Sequence, residues 1–237
     1  MTEWKAKRFW TDVAVEAVDG GYRVVLDGRS VNTPGKQPLI LPTRAVADAV
    51  AVEWDAQEAE IKPLTMPHTR SANSALERVA PQHAGVSAML ASYGETDLLC
   101  YRADGPEELT SRQSMGWDPL LDWADARYGA RLVVGAGIVP VAQDAEAVAR
   151  LSRAVADIAP FPMTALHDLV TLSGSLILGL AVSEQRLNAH DAWRLSRIDE
   201  TWQIEQWGAD EEAAEAAATK EAQFQHAEDF WNLCHAK

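Results

Sequence analysis

Cysteine is scarce. The 237 residues carry two, Cys100 and Cys234, far apart in the chain. There is no CxxC pair and no zinc-ligand spacing, so two buried thiols in a reducing compartment is the reading that fits. Six histidines, at positions 68, 83, 167, 190, 226 and 235, are scattered, and none stands four residues from another. A helical metal pair is therefore excluded. The neighbours His167-Asp168 and His190-Asp191 are expected to point apart on their helices, as surface residues or caps. A phosphate loop needs a strand followed by GxxxxGKS or GxxxxGKT. Gly135-Ala136-Gly137 comes nearest and lacks both the later glycine and the lysine. No metal and no cofactor is expected. There is also no GxSxG elbow to expose a nucleophile.

Positive charge is in deficit: 21 Lys and Arg stand against 35 Asp and Glu, a net charge of −14. Nucleic-acid binding needs a basic stripe, and an anionic membrane would repel such a chain. The longest uncharged apolar run, Leu169 to Val182, is 14 residues. A membrane span needs about 20, so a buried core helix is expected there and no membrane insertion. The opening MTEWKAKRFW has neither the apolar core of a signal peptide nor the acid-poor, Arg/Ser-rich character of a transit peptide. The expectation is a cytoplasmic protein, or one already processed.

What is present is a 47% hydrophobic, 24% charged chain, ordinary for a folded globular protein. Val13, Val15 and Ala17 alternate along one strand face and Tyr22, Val24 and Leu26 along another, separated by Asp19-Gly20-Gly21. Asp27-Gly28 is a two-residue hairpin signal, with short strands expected at 29–32 and 39–41. Together they predict a small antiparallel sheet with an exposed side. Thr43 caps a helix to about Ala59 whose stripe is Val46, Val50, Trp54 and Ile61; Pro67 bounds an extended link. Beyond residue 69 the pattern is mainly helical. Segments at 70–79, 107–128 (kinked or restarted at Pro119), 144–158, 161–182, 188–207 and 210–233 read as helices, whereas 96–102 fits helix or strand. The fold class is α+β: a β-rich N-terminal domain with one helix at 1–68, then an α-helical C-terminal domain at 69–237. Within 161–182, Thr171, Ser175 and Gly179 recur every fourth residue, a line of small side chains that would let another helix approach.

Nine tryptophans is a high count for this length, and tryptophan is enriched at core anchors and binding hot spots. Trp54 is placed as the pin between sheet and helix. Trp54→Ala is expected to cost about 3–5 kcal/mol, and an unchanged thermal midpoint would overturn that placement. On the 189–207 helix, Leu195, Ile198, Trp202 and Glu205 fall on one stripe, and Trp193, Glu200 and Trp207 on the opposite one. A carboxylate among tryptophans fits three roles. It can pair structurally with Arg194 or Arg197, anchor a partner, or serve as a general acid of raised pKa. The acids are also unevenly spread: Asp199 to Asp229 holds ten with Lys220 as the one base. That suits either a surface for a basic partner or a solvated helix face.

A set of short strings resembles one family in order along nearly the whole chain. They are Arg8-Phe9-Trp10, Gly21-Tyr22, Leu26-Asp27-Gly28-Arg29, Thr33-Pro34, Leu41-Pro42-Thr43 and Glu53-Trp54-Asp55-Ala56-Gln57. Then follow Thr65-Met66-Pro67, Ala72-Asn73, Thr96-Asp97, Cys100-Tyr101-Arg102, Trp117-Asp118-Pro119-Leu120-Leu121 and Gly174-Ser175-Leu176. The last are Asp199-Glu200, Trp202-Gln203 and Glu205-Gln206-Trp207-Gly208. Each string is weak alone, and the ordered set is specific. It resembles the ATP synthase assembly chaperones that protect the alpha subunit of the catalytic head. The resemblance implies a β-rich domain followed by a helical one. It also implies a client, the free alpha subunit, held through the surface later buried against beta. Trp54 and Glu205 match positions the family associates with function, with Trp202, Trp207 and Glu200 beside Glu205. The family is known mostly from the mitochondrial matrix; without a presequence this chain resembles a bacterial version, expected to act as a monomer without hydrolysing ATP. Two alternatives are an enzyme using Glu205 or Glu200 as general acid, and a general protein-interaction module.

Overall fold

The computed structural model describes residues 7–137 and 139–236. They form two units. One takes the described residues through Gln82 with Pro160–Thr164 and the C-terminal end from Asp229; the other takes His83–Ala159 and Ala165–Glu228. Elements are α-helices and short strands, an α+β fold with its main sheet near the N-terminus.

In the first unit, Val13–Val18 (β1) and Gly21–Leu26 (β2) pair antiparallel, Val13 opposite Leu26 and Val18 opposite Gly21. Asp27 and Gly28 both adopt positive φ, 47° and 78°, as a two-residue hairpin turn demands, and lead into Arg29–Ser30 (β3). The strand expected at 39–41 shrinks to one bridge: Tyr22 and Leu41 exchange backbone hydrogen bonds at 2.9 and 2.8 Å. Val24, Val25 and Leu26 are all buried, so this end of β2 is covered on both faces and not on one. Arg44–Asp55 (α1) lies against β1 and β2. Thr43 caps it, accepting from the Val46 amide at 3.2 Å while its hydroxyl donates to the Leu233 carbonyl at 2.7 Å. The helix stops at Asp55, short of Ala59 and Ile61. Pro67 does not bound an extended link; it opens Pro67–Ser74 (α2), where a missing N–H is harmless.

The second unit contains His83–Ser92 (α3), Tyr101–Arg102 (β4), Glu107–Tyr128 (α4), Gly135–Ala136 (β5) and Ala145–Ala156 (α5). Pro160–Ser173 (α6) belongs to it from Ala165 onward, Leu176–Ser183 (α7), Ala189–Ser196 (α8) and Ile198–Trp207 (α9) follow, and Glu211–His235 (α10) belongs to it as far as Glu228. Segment 96–102 resolves into both of its candidate forms: a single 3₁₀ turn at Leu98–Cys100, then β4, which pairs parallel with β5. The core gathers Trp117, Leu121, Leu151, Leu166, Ile177 and Phe224, all buried. Pro119 is accommodated inside α4, which runs as one helix of 22 residues.

Four further expectations are corrected here. The apolar run 161–182 is two helices, because Gly174 takes φ 74° and ends α6. Ser175 is therefore no mid-helix residue but the N-cap of α7, accepting from the Leu178 amide at 3.0 Å. Of the small-residue line, Gly179 sits at a close approach, where a methyl would lie 2.6 Å from Val170 Cγ2, while the Thr171 and Ser175 hydroxyls bond within their own surroundings, to the His167 carbonyl and to Asp97. The 189–207 helix is likewise two, broken at Arg197 between α8 and α9. His167 and Asp168 do not point apart; their side chains meet at 2.9 Å. Both cysteines are free, Cys100 buried and Cys234 half-buried, and burial pushes each thiol up to about 12. Among the described residues no helix is long and apolar enough to cross a membrane.

Candidate functional site

One face of α4 holds α9. Gly116 makes room for it, since a methyl there would come within 2.8 Å of Leu195 Cδ2 and 3.1 Å of Ile198 Cδ1. One residue on, Trp117 Nε1 donates to the Leu195 carbonyl at 2.8 Å, a group freed where α8 ends. One turn earlier, Gln113 Nε2 donates to Asp199 Oδ1 at 2.6 Å. Arg112 Nη1 reaches both Glu205 oxygens at 2.9 and 2.7 Å, with its guanidinium 4.8 Å from the Trp202 ring centroid. Positions 112, 113, 116 and 117 are neighbours on a helix surface, so a single stripe of α4 positions the whole of α9.

The break at Arg197 rearranges the stripes expected from a continuous helix. Leu195 and Ile198 do turn toward α4, and Trp202 and Glu205 share a side of α9. Trp193, Glu200 and Trp207 do not form an opposing face. Trp193 is buried in α8 against Phe224, ring centroids 5.7 Å apart. Glu200 pairs with Arg197 at 2.7 Å. Trp207 is 79% exposed, with Ile204 half-exposed near it. Glu205 does pair with an arginine, but with Arg112 from a distant helix and not with Arg194 or Arg197. The partners that the structure gives these two acids are arginines, Arg112 for Glu205 and Arg197 for Glu200.

Beside α9 lies an open groove of about 520 Å³. Pro106 and Leu109, at the start of α4, form one wall; Asp199, Trp202, Gln206 and Trp207 form the other.

In the first unit, Trp54 sits at the end of α1 with its ring edge-on to Trp10, centroids 5.3 Å apart. Trp10 is buried, and Arg8 lies 5.3 Å over its ring while donating to the Asp55 and Gln57 carbonyls at 2.6 and 2.5 Å. The residue before Trp54 is the surprise. Glu53 is buried, and α2 has no capping side chain of its own because Met66 stands at its N-cap. Glu53 supplies the cap from α1. It accepts from the His68 and Thr69 amides at 2.6 and 2.8 Å and from Thr69 Oγ1 at 2.7 Å. His68 Nδ1 also meets Glu53 at 2.9 Å, and its Nε2 meets Asp229 at 2.9 Å. Burial alone would raise Glu53, yet the hydrogen bonds from His68 and Thr69 outweigh it and hold the carboxyl below its usual range. Burial alone would lower His68, yet the bonds to Glu53 and Asp229 outweigh it and raise the imidazole. Sequence reading passed over this cluster. The available signal was that Glu53 continues the helical stripe of Val46 and Val50, both fully buried.

With this geometry in hand, likeness to known proteins becomes decisive. A family model described as ATP12 chaperone protein matches residues 7–125, half of the chain. The chain belongs to the ATP12 chaperone family. The crystal structure of Atp12 from Paracoccus denitrificans superposes with a TM-score of 0.96 at 55% identity, covering 98% of this chain and 100% of that one. The Atu1473 protein of Agrobacterium tumefaciens superposes with a TM-score of 0.90 at 40% identity, covering 97% and 85%. Protein atp12, mitochondrial, of Schizosaccharomyces pombe is 24% identical over 221 residues, covering 88% of this chain and 76% of that protein.

A second long-range cap holds the core of this ATP12 chaperone. Asp97 is fully buried and accepts from Ser175 Oγ at 2.7 Å and from the Leu99 and Ile177 amides, each at 3.0 Å. Burial pushes its carboxyl up to about 6 against those bonds. Asp97 and Ser175 together close the start of α7, directly after the Gly174 break. In the sequence, Thr96-Asp97 and Gly174-Ser175 appeared only as separate family strings; nothing in their spacing joins them.

Proposed function

We propose that this ATP12-family chain is a chaperone of ATP synthase assembly that binds the free alpha subunit of the catalytic head. It shields the alpha surface that beta later covers, and it hydrolyses no ATP itself. Contact is made through α9: Trp207 and Trp202 are the aromatic anchors, while Glu205 and Glu200, with their arginines, form the polar rim. The observation that carries this reading is Trp207, a tryptophan 79% exposed on a helix that α4 holds rigidly at several points. Large aromatics on firm supports are what binding hot spots are made of. Release needs no nucleotide, because beta competes for the same client surface and wins by the greater affinity. The cytoplasm of a bacterium is the proposed setting, supported by the two bacterial relatives.

The experiment is a titration of purified alpha subunit against the wild type, Trp207→Ala and Glu205→Lys, with thermal melts to verify folding. Wild-type binding weakened at least about tenfold by Trp207→Ala is expected for a hot spot. Binding unchanged in both variants would sink the assignment of α9. Absence of wild-type binding would sink the choice of client.

A further inference from the structure

The groove beside α9 has a chemistry of its own. Asp199 is half-buried in its lining. One of its oxygens takes the neutral Gln113 amide at 2.6 Å, and among the described residues no cation pairs with it. The guanidinium that feels its charge, Arg102, is bonded instead to Asp118 at 2.6 Å and to the Gln113 carbonyl at 3.3 Å. The other arginines of this region are also taken, Arg112 by Glu205 and Arg197 by Glu200. Asp104, Glu107 and Glu108 are exposed in the stretch of chain around Pro106, outside the lining itself. Among the described residues, Asp199 is therefore the one acid in the lining, and the arginines of this region are engaged by other carboxylates. The lining also includes Leu109 and Pro106, two indoles, and Gln203 and Gln206, one helical turn apart. A primary amide donates and accepts at once, which suits the backbone of an extended chain.

The geometry points to an extended peptide segment of the client, with an arginine set between apolar residues, as the occupant of this groove, the guanidinium pairing with Asp199. Arginine fits better than lysine because its planar fork matches a carboxylate and stacks on indole, as Arg112 already does on Trp202. Half-burial strengthens the pair relative to one on open surface, because less water screens it. The client assignment rests on the proposed function; the arginine-reading groove does not.

Two probes separate these claims. The first is a blocked octapeptide with arginine between two leucines in an otherwise alanine and glycine chain, titrated calorimetrically beside the same peptide carrying citrulline. The variants are Asp199→Asn, which keeps an acceptor for Gln113, and Trp207→Ala, both shown to melt as the wild type does. The arginine peptide is expected to bind with a Kd of about 1 mM or tighter. Citrulline, or Asp199→Asn, is expected to weaken it about tenfold, the value of a charge-assisted bond. Equal binding of the two peptides, equal binding by Asp199→Asn, or no binding at all overturns the groove assignment. The second probe is intact alpha subunit. If it fails to bind while the arginine peptide binds through Asp199, the client reading falls and the groove stands. If it binds unaffected by Asp199→Asn, the groove plays no part in holding the client.

Discussion

Glu53 and His68 show how a few polar atoms tie distant segments together. Glu53 ends the buried Val46–Val50 stripe where an apolar residue would be expected, and the acid caps α2, whose own N-cap residue, Met66, supplies no side-chain cap. His68 then links Glu53 to Asp229 near the C-terminus. The linkage has a definite sign. Stability from His68, whose pKa is raised above 6.5, is fully present below that value and is lost as pH rises through the folded pKa. Stability from Glu53, lowered below 4.5, is present above that value and is lost as pH falls through the folded pKa. The pair contributes most between these limits. The difference in urea midpoint between wild type and His68→Gln should therefore be larger at about pH 6 than at about pH 9. A difference that grows toward high pH would contradict the doubly bonded imidazolium. Periodicity put Glu205 and Trp202 on one stripe, and one guanidinium, Arg112, does meet both. Sequence reading could not find Arg112, since no periodicity joins residue 112 to residue 205. Trp54 was noticed for its type and spacing; its neighbour Trp10 is brought to it only by the fold.

Helix breaks are where element-level reading failed, and the cause is physical. Residues 161–182 are predominantly apolar, and a hydrophobic period cannot distinguish one buried helix from two. The break is made by one backbone torsion, Gly174 at φ 74°, and is locked by Asp97 from outside the segment. Arg197 breaks the next pair with no glycine or proline to announce it. Elements with local chemistry were legible: the Asp27-Gly28 hairpin, and the caps at Thr43, Asp144, Asn188 and Asp210. Gly174 offers a clean test because a methyl there meets nothing closer than Leu98 Cβ at 4.0 Å. Gly174→Ala should therefore lose only the cost of a left-handed alanine, about 1–2 kcal/mol, measured by urea unfolding. No loss would mean that α6 and α7 tolerate a straight connection.

At the scale of the whole molecule, alternation near the N-terminus and helical periodicity beyond it made the α+β class legible, while the excess acid fitted either solvation or recognition. Glu211, Glu212 and Glu215 are exposed along the first turns of α10, following the Trp207 end of α9. A net charge of −14 also sets a field that reaches beyond any one contact. If the acid only keeps the chain dissolved, salt should leave the encounter with the client unchanged. If it steers a client surface of opposite charge, screening must slow association, because the Debye length falls from roughly 14 Å to about 4 Å between about 0.05 and 0.5 M salt. Dissociation, governed by the short-range contacts of Trp207 and Trp202, should change much less. Stopped-flow mixing with alpha subunit is thus expected to show the on-rate falling about tenfold across that range while the off-rate stays within about twofold. An on-rate indifferent to salt would assign the acidic stretch to solubility and leave recognition to the aromatic residues of α9.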